Sequence, residues 1–128
     1  FSLLPIMIRS TDAQELEILG KALAKVLDGR NALLVASTDL SHFYAQDVAK
    51  MLDGEMLRQM ENFSPEGMLE AEEMGKGFAC GCGAVAATLY AARELGADSV
   101  KVLNYATSGD VTGDFSSVVG YGAGVVLK

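Results

Sequence analysis

The chain has 128 residues, half of them hydrophobic, with two cysteines, one histidine and a formal net charge of −7. That acidity excludes a nucleic-acid surface, which needs clustered Lys and Arg, and no apolar run approaches the roughly 18 residues of a membrane span. The length suits one domain or part of one. With no basic-then-apolar leader, the expected setting is cytoplasmic, where two cysteines one glycine apart read as thiols or metal ligands rather than a bridge.

In chain order, Ser2 to Ile8 reads as a buried strand. A chain that opens inside an element is expected to be a piece of a longer protein. Thr11-Asp12-Ala13-Gln14 has the form of a capping box with Thr11 as the cap. The helix behind it repeats apolar residues at Leu19, Ala22, Leu23, Val26 and Leu27 and stops at Asp28-Gly29. Asn31 to Ala36 is a continuous apolar run, the pattern of a strand covered on both faces. Strand, helix and strand in this order predict a parallel unit with a right-handed crossover.

A second helical pattern starts near Ala45, with Val48, Met51, Leu52 and Met56 on one face. Ser64-Pro65-Glu66 opens a third, with a Ser cap, Pro at the first position and an acid in the first turn. Its Glu70, Glu72 and Glu73 read as a solvated face, since no histidine accompanies them. The alanine-rich segment after Gly83 is a helix ending at Leu95-Gly96, and Ser99 to Tyr105 a strand. The Ala106 to Asp114 loop is rich in turn formers, and two aspartates with no Lys argue against a phosphate cradle. In the last strand, Ser116 to Leu127, Gly120, Gly122 and Gly124 leave one face nearly bare, which predicts close approach by another backbone.

Two stretches carry candidate chemistry. Phe78-Ala79-Cys80-Gly81-Cys82-Gly83 runs into the alanine-rich helix, where free N–H groups favour a thiolate. Ser37-Thr38-Asp39-Leu40-Ser41-His42 follows the second apolar run and holds the only histidine. An acid that orients a histidine suits general-base work, and in open α/β sheets ligands sit beyond the carboxyl ends of strands. The two stretches are expected to face each other across one site, with only half of it present. A hydrolase triad on Ser41 is rejected, because no G-x-S-x-G elbow exists. Gly81-Cys82-Gly83-Ala84-Val85-Ala86 fits G-x-G-x-x-A, but no strand precedes it and no ribose-binding acid follows. At least one cysteine, with Cys82 near the first helical position, is expected to be a buried inert thiol.

Together with Leu103-Asn104-Tyr105 through Asp114 and Ser116-Ser117-Val118-Val119-Gly120-Tyr121, these stretches resemble the Memo family, protein B of the AmmeMemoRadiSam system. That family is similar in fold to class III, LigB-type extradiol dioxygenases. The resemblance implies a three-layer α/β/α domain with a central, mostly parallel sheet, residues 1–128 being its C-terminal part. It places His42 as acid/base, with Asp39 beside it, and Cys80 as a metal ligand completed by two histidines from the N-terminal half. Ser37, Gly81, Cys82 and Thr107 would line the pocket. Where human-type Memo has a basic residue and a histidine after the cysteine and glycine, this chain has Cys82 and Gly83, as in the bacterial and archaeal branch.

The implied activity is metal-linked redox chemistry with iron or copper in the full-length protein, an oxidoreductase or dioxygenase-like role. Neither tight metal binding nor activity is expected of this chain alone. Implied partners are the N-terminal half, a radical S-adenosylmethionine enzyme and an AMMECR-type protein. The alternative from another class is a non-catalytic pocket holding an anionic peptide or small molecule.

Overall fold

A computed structural model describes all of residues 1–128. The chain is a mixed α/β structure, as expected. Its helices are α1 (Ala13–Leu27), α2 (Gln46–Glu61), α3 (Pro65–Glu73), α4 (Cys82–Glu94) and the short α5 (Gly109–Thr112). Its strands are β1 (His42–Tyr44), β2 (Ser99–Thr107) and β3 (Val118–Leu127). They form one sheet in the order β1-β3-β2, and both pairings are antiparallel.

The mostly parallel sheet is therefore not what these strands form. The two apolar runs that were to supply parallel strands, residues 2–8 and 31–36, belong to no strand. A strand exists only where a neighbour accepts and donates its backbone hydrogen bonds, and here these runs have none. Most of their large side chains are bare: Leu33 is 87% and Val35 70% exposed, and Leu3, Leu4 and Met7 are exposed as well, while Ile8 and Ala36 touch the core. The unpartnered runs are also visible in the total. The chain exposes 8000 Å², against roughly 6,500 Å² for a compact monomer of this mass.

The core lies among the helices and under the sheet. One cluster joins Leu40, Met56, Met68, Ala71, Ala79, Cys82, Val85 and Leu89. A second joins Leu16 of α1 to Ala86, Ala87 and Tyr90 of α4. Alanines and Gly20 let these two helices close to backbone contact, since a Cβ on Gly20 would strike Tyr90. Small side chains on α4 thus place the helix N-terminus, where Cys80 and Gly81 sit, against the rest of the fold.

The helix signals behave as their chemistry dictates. Ser64 caps α3, its hydroxyl accepting from the Gly67 N–H at 3.0 Å, with Pro65 in the first turn. At α1 the cap is Asp12 rather than Thr11: its carboxylate accepts from the Glu15 N–H at 2.9 Å. A carboxylate at that end also meets the helix dipole, which a hydroxyl does not. Asp12→Ala is expected to cost about 1 kcal/mol and Thr11→Ala almost nothing, a difference that thermal melts of the two variants will read.

The glycine face of β3 meets a helix at Gly120 and Gly122, and another backbone only at Gly124, where a Cβ would lie 3.3 Å from the Lys101 carbonyl of β2. A Cβ on Gly120 would collide with the Asp53 carboxylate, and one on Gly122 would lie 2.8 Å from Leu57 Cδ2. Asp53 and Leu57 are one turn apart on α2, so this helix lies directly on the bare face of the strand.

Candidate metal centre

His42 reaches its position through an irregular strand. In β1, His42 pairs with Val119 and Tyr44 with Val118, so Phe43 is an extra residue bulged out between them. Phe43 has φ 64°, a left-handed conformation that is costly for an aromatic residue. Such bulges re-aim a side chain next to functional sites, and here the re-aimed side chain is the only imidazole. The His42 ring lies between two phenylalanines, with centroids 5.8 Å from Phe43 and 6.1 Å from Phe78.

Cys80 is held against the segment before His42 by a set of backbone bonds. The Cys80 N–H donates to the Asp39 carbonyl at 3.1 Å, and the Asp39 N–H points at Cys80 Sγ at 3.3 Å. Thr38 locks the two stretches: its Oγ1 accepts from the Gly81 N–H at 2.7 Å, donates to the Asp39 carbonyl at 2.8 Å and lies 3.7 Å from Sγ. The Asp39 N–H directed at sulfur and the Thr38 clamp fix Sγ in place just ahead of the α4 N-terminus. Gly81 makes this approach possible, since a Cβ there would lie 2.8 Å from the Ser37 carbonyl and from Thr38 Cβ. Gly81→Ala is therefore expected to push the two stretches apart, costing about 1–3 kcal/mol by overpacking and weakening whatever the site binds; a melt and a binding titration on one sample check both.

The result is a cluster. One ligand atom each from Asp39, His42 and Cys80 all lie within 4.8 Å of one another. The His42 Nε2 to Asp39 Oδ2 separation is 3.7 Å, too long for a hydrogen bond. Nε2 is itself shielded from solvent and has no hydrogen-bond partner. Donor atoms bound tetrahedrally to one transition-metal ion sit roughly 3.3–3.6 Å apart. The three groups are thus close to, and slightly wider than, the spread of one shared ion, and the set of imidazole, thiolate and carboxylate fits a borderline-soft metal.

The other sequence candidates divide. Ser37 and Gly81 lie beside the cluster, Ser37 through its carbonyl. Cys82 is buried in the core with Leu40 and Met56, and burial, with Glu72 nearby, pushes its thiol well above the usual range. It is the inert cysteine of the pair. Thr107 pairs with Gly120 of β3, its hydroxyl 2.8 Å from Gln46 Oε1 and 3.1 Å from Asp110 Oδ2, so that group holds the following turn. The β1 bulge and the buried Asp53 were not foreseen from the sequence.

With the geometry in place, comparison with known proteins is specific. The Memo-like protein family model matches residues 1–125. The chain belongs to the Memo-like family. It is 37% identical over 125 residues to a MEMO1 family protein of Methanopyrus kandleri, covering 96% of this chain and 44% of that protein. It is 39% identical over 123 residues to one from Methanothermobacter thermautotrophicus, covering 94% and 44%, and 37% over 123 residues to one from Nitrosopumilus maritimus, covering 96% and 45%. The chain thus spans a little under half the length of these Memo-like relatives. No helix in it is long and apolar enough to cross a membrane.

Proposed function

We propose that this chain supplies Asp39, His42 and Cys80 to a metal-linked redox centre of the Memo-like fold. The observation that carries the reading is the convergence of three different donor types within 4.8 Å, on segments far apart in sequence. A bound iron or copper ion would supply Lewis acidity and one-electron chemistry. Cys80, its sulfur held by the Asp39 N–H, is the firmest ligand. Asp39 and His42 complete the donor set of the chain alone. When two histidines from the remaining part of the fold join Cys80, His42 is released to hold or move a proton at its ring nitrogen. Asp39, whose Oδ2 lies 3.7 Å from Nε2, then orients the ring.

The bare runs 2–8 and 31–36 support the second half of this reading. An excess of about 1,500 Å² over a compact monomer is the area one side of an obligate interface buries. A groove of about 530 Å³ lies between the 33–36 segment and the Gly122 to Leu127 portion of β3, floored by Val85, Thr88 and Leu89 of α4. Strands from the remaining half of the family fold fit there. On the resemblance alone, the assembled protein works beside a radical S-adenosylmethionine enzyme and an AMMECR-type protein.

The anion-binding alternative is the weaker one, because the Asp39 carboxylate faces the same site and would repel its ligand. Thermal melts separate the two. A divalent cation bound only by the folded chain, at a hundredfold excess over its Kd, stabilises by about 2.7 kcal/mol. For a chain of this size that is a rise in Tm of about 10 °C. Co(II) and Zn(II) are expected to give such a shift and inorganic phosphate none. The reverse pattern would favour the anion pocket.

A further inference from the structure

The chain buries one carboxylate completely. Asp53 is 0% exposed, in the middle of α2 on the inward line of Ala49 and Met56. No basic side chain pairs with it. Its two oxygens instead divide between two distant segments: Oδ1 accepts from the Ser41 N–H at 2.8 Å and Oδ2 from the Tyr105 O–H at 2.6 Å. Ser41 is the residue before His42.

We propose that Asp53 is the positioning residue of His42, fixing the Ser41 backbone so that the imidazole is aimed at Asp39 and Cys80. This rests on the reading of those three residues as a cation site. The Ser41 peptide is bound on both sides. Its carbonyl accepts from the Gly120 N–H at 3.0 Å, the Gly120 carbonyl accepts from Leu40 N–H at 2.9 Å, and its own N–H goes to Asp53. Beyond it the chain enters the Phe43 bulge, where β3 pairing becomes irregular. Asp53 and the Gly120 N–H thus clamp the last peptide before the re-aimed ring, Asp53 being the side chain that does so.

A carboxylate is an expensive choice for this place. A buried charge without a counter-charge costs more than an apolar side chain of similar size. For stability alone an amide would serve, accepting from Ser41 and donating to the Tyr105 oxygen. The carboxylate differs in being acceptor-only on both equivalent oxygens, so either orientation accepts from Ser41 and Tyr105 alike, whereas an amide has one productive orientation and can flip. Gly120 completes the arrangement, since any side chain there would expel the carboxylate. Groups bonded directly to a ligating imidazole are worth roughly 10–100-fold in metal affinity. Asp53 acts one peptide away, through Ser41, so its effect belongs at the lower end.

Because the chain has a single histidine, its imidazole NMR signals belong to His42 without further assignment. The test compares wild type, Asp53→Asn and Tyr105→Phe in three measurements: Tm, metal-free His42 ring signals, and Co(II) affinity. Asp53→Asn is expected to stay folded with shifted or multiplied ring signals and a loss of Co(II) affinity of about tenfold. Tyr105→Phe should change both in the same direction and less. A folded Asp53→Asn protein whose ring signals and Co(II) affinity match wild type overturns the proposal. If Asp53→Asn does not fold, Tyr105→Phe decides by the same signals, unchanged ones overturning it. A wild-type chain that binds no Co(II) removes the cation reading, and the metal-free ring signals then judge Asp53 independently.

Discussion

Replacing Gly120 by alanine is expected to cost about 3–5 kcal/mol, although the change adds one methyl group. The new Cβ would occupy the space of the Asp53 carboxylate, and neither β3 nor α2 can retreat. β3 is paired to β2 along Gly120 to Leu127 and to β1 at Val118 and Val119, while α2 is packed into the core through Met56. Overpacking contributes about 1–3 kcal/mol. Displacing the carboxylate adds the cost of unpaired buried donors at Ser41 and Tyr105, about 1–3 kcal/mol each if fully lost. The corresponding fall in Tm is about 10–20 °C. Gly54 is the control. It neighbours Asp53 on α2, but an added Cβ there meets nothing within 4 Å, so Gly54→Ala should stabilise by up to about 1 kcal/mol. A Gly120→Ala melt within 2–3 °C of wild type would show that α2 does not sit on β3 as described.

The second large effect depends on context. Leu33→Lys with Val35→Lys is expected to leave the isolated chain almost unchanged, within about 0.5 kcal/mol, because both side chains are exposed. In a polypeptide carrying this chain together with the remaining portion of the Memo-like fold, the same pair should be severely destabilising. Each lysine would then be buried in a strand interior without a partner, at several kcal/mol per site. Denaturant midpoints of the two forms, with and without the substitutions, give the comparison. Equal small effects in both would mean that the 31–36 run is a solvated segment and that no strand from elsewhere covers it.

The helices were legible because their signals are local. Caps and breakers around α1, α3 and α4 are read over a few residues, and the structure moved a cap by only one, from Thr11 to Asp12. The inward face of α1 is instead Leu16, Gly20 and Ala24, with the expected Ala22 and Val26 exposed, because the small Gly20 and Ala24 let α4 close in on that side. The apolar runs at 2–8 and 31–36 have the composition of strands, yet pairing depends on a partner distant in sequence, and composition cannot supply one. β1 was illegible for the opposite reason: three residues around a left-handed Phe43 carry no strand signal. His42 and Cys80 were found through their motifs, which survive any error in the surrounding sheet. Asp53 was missed because the apolar face read for α2 ran through Val48, Met51, Leu52 and Met56, whereas the helix buries Ala49, Asp53 and Met56 and leaves Val48 and Met51 exposed. The glycines of β3 announced a close approach, but its partner is a backbone only at Gly124 and helix side chains at Gly120 and Gly122, because a bare strand face accepts a helix side chain as readily as a backbone.

The claim that most needs testing is that Asp39, His42 and Cys80 hold one metal ion. Anaerobic titration of the reduced chain with Co(II), followed by absorption, is the direct measurement, because a thiolate ligand gives a charge-transfer band that carboxylate and imidazole do not. One equivalent is expected to produce the band in wild type, with weak and exchangeable affinity because only three donors are present. Cys80→Ser should abolish the band, Asp39→Asn and His42→Ala should each weaken binding at least tenfold, and Cys82→Ser should leave it unchanged. A band that persists in Cys80→Ser and vanishes in Cys82→Ser would contradict the site.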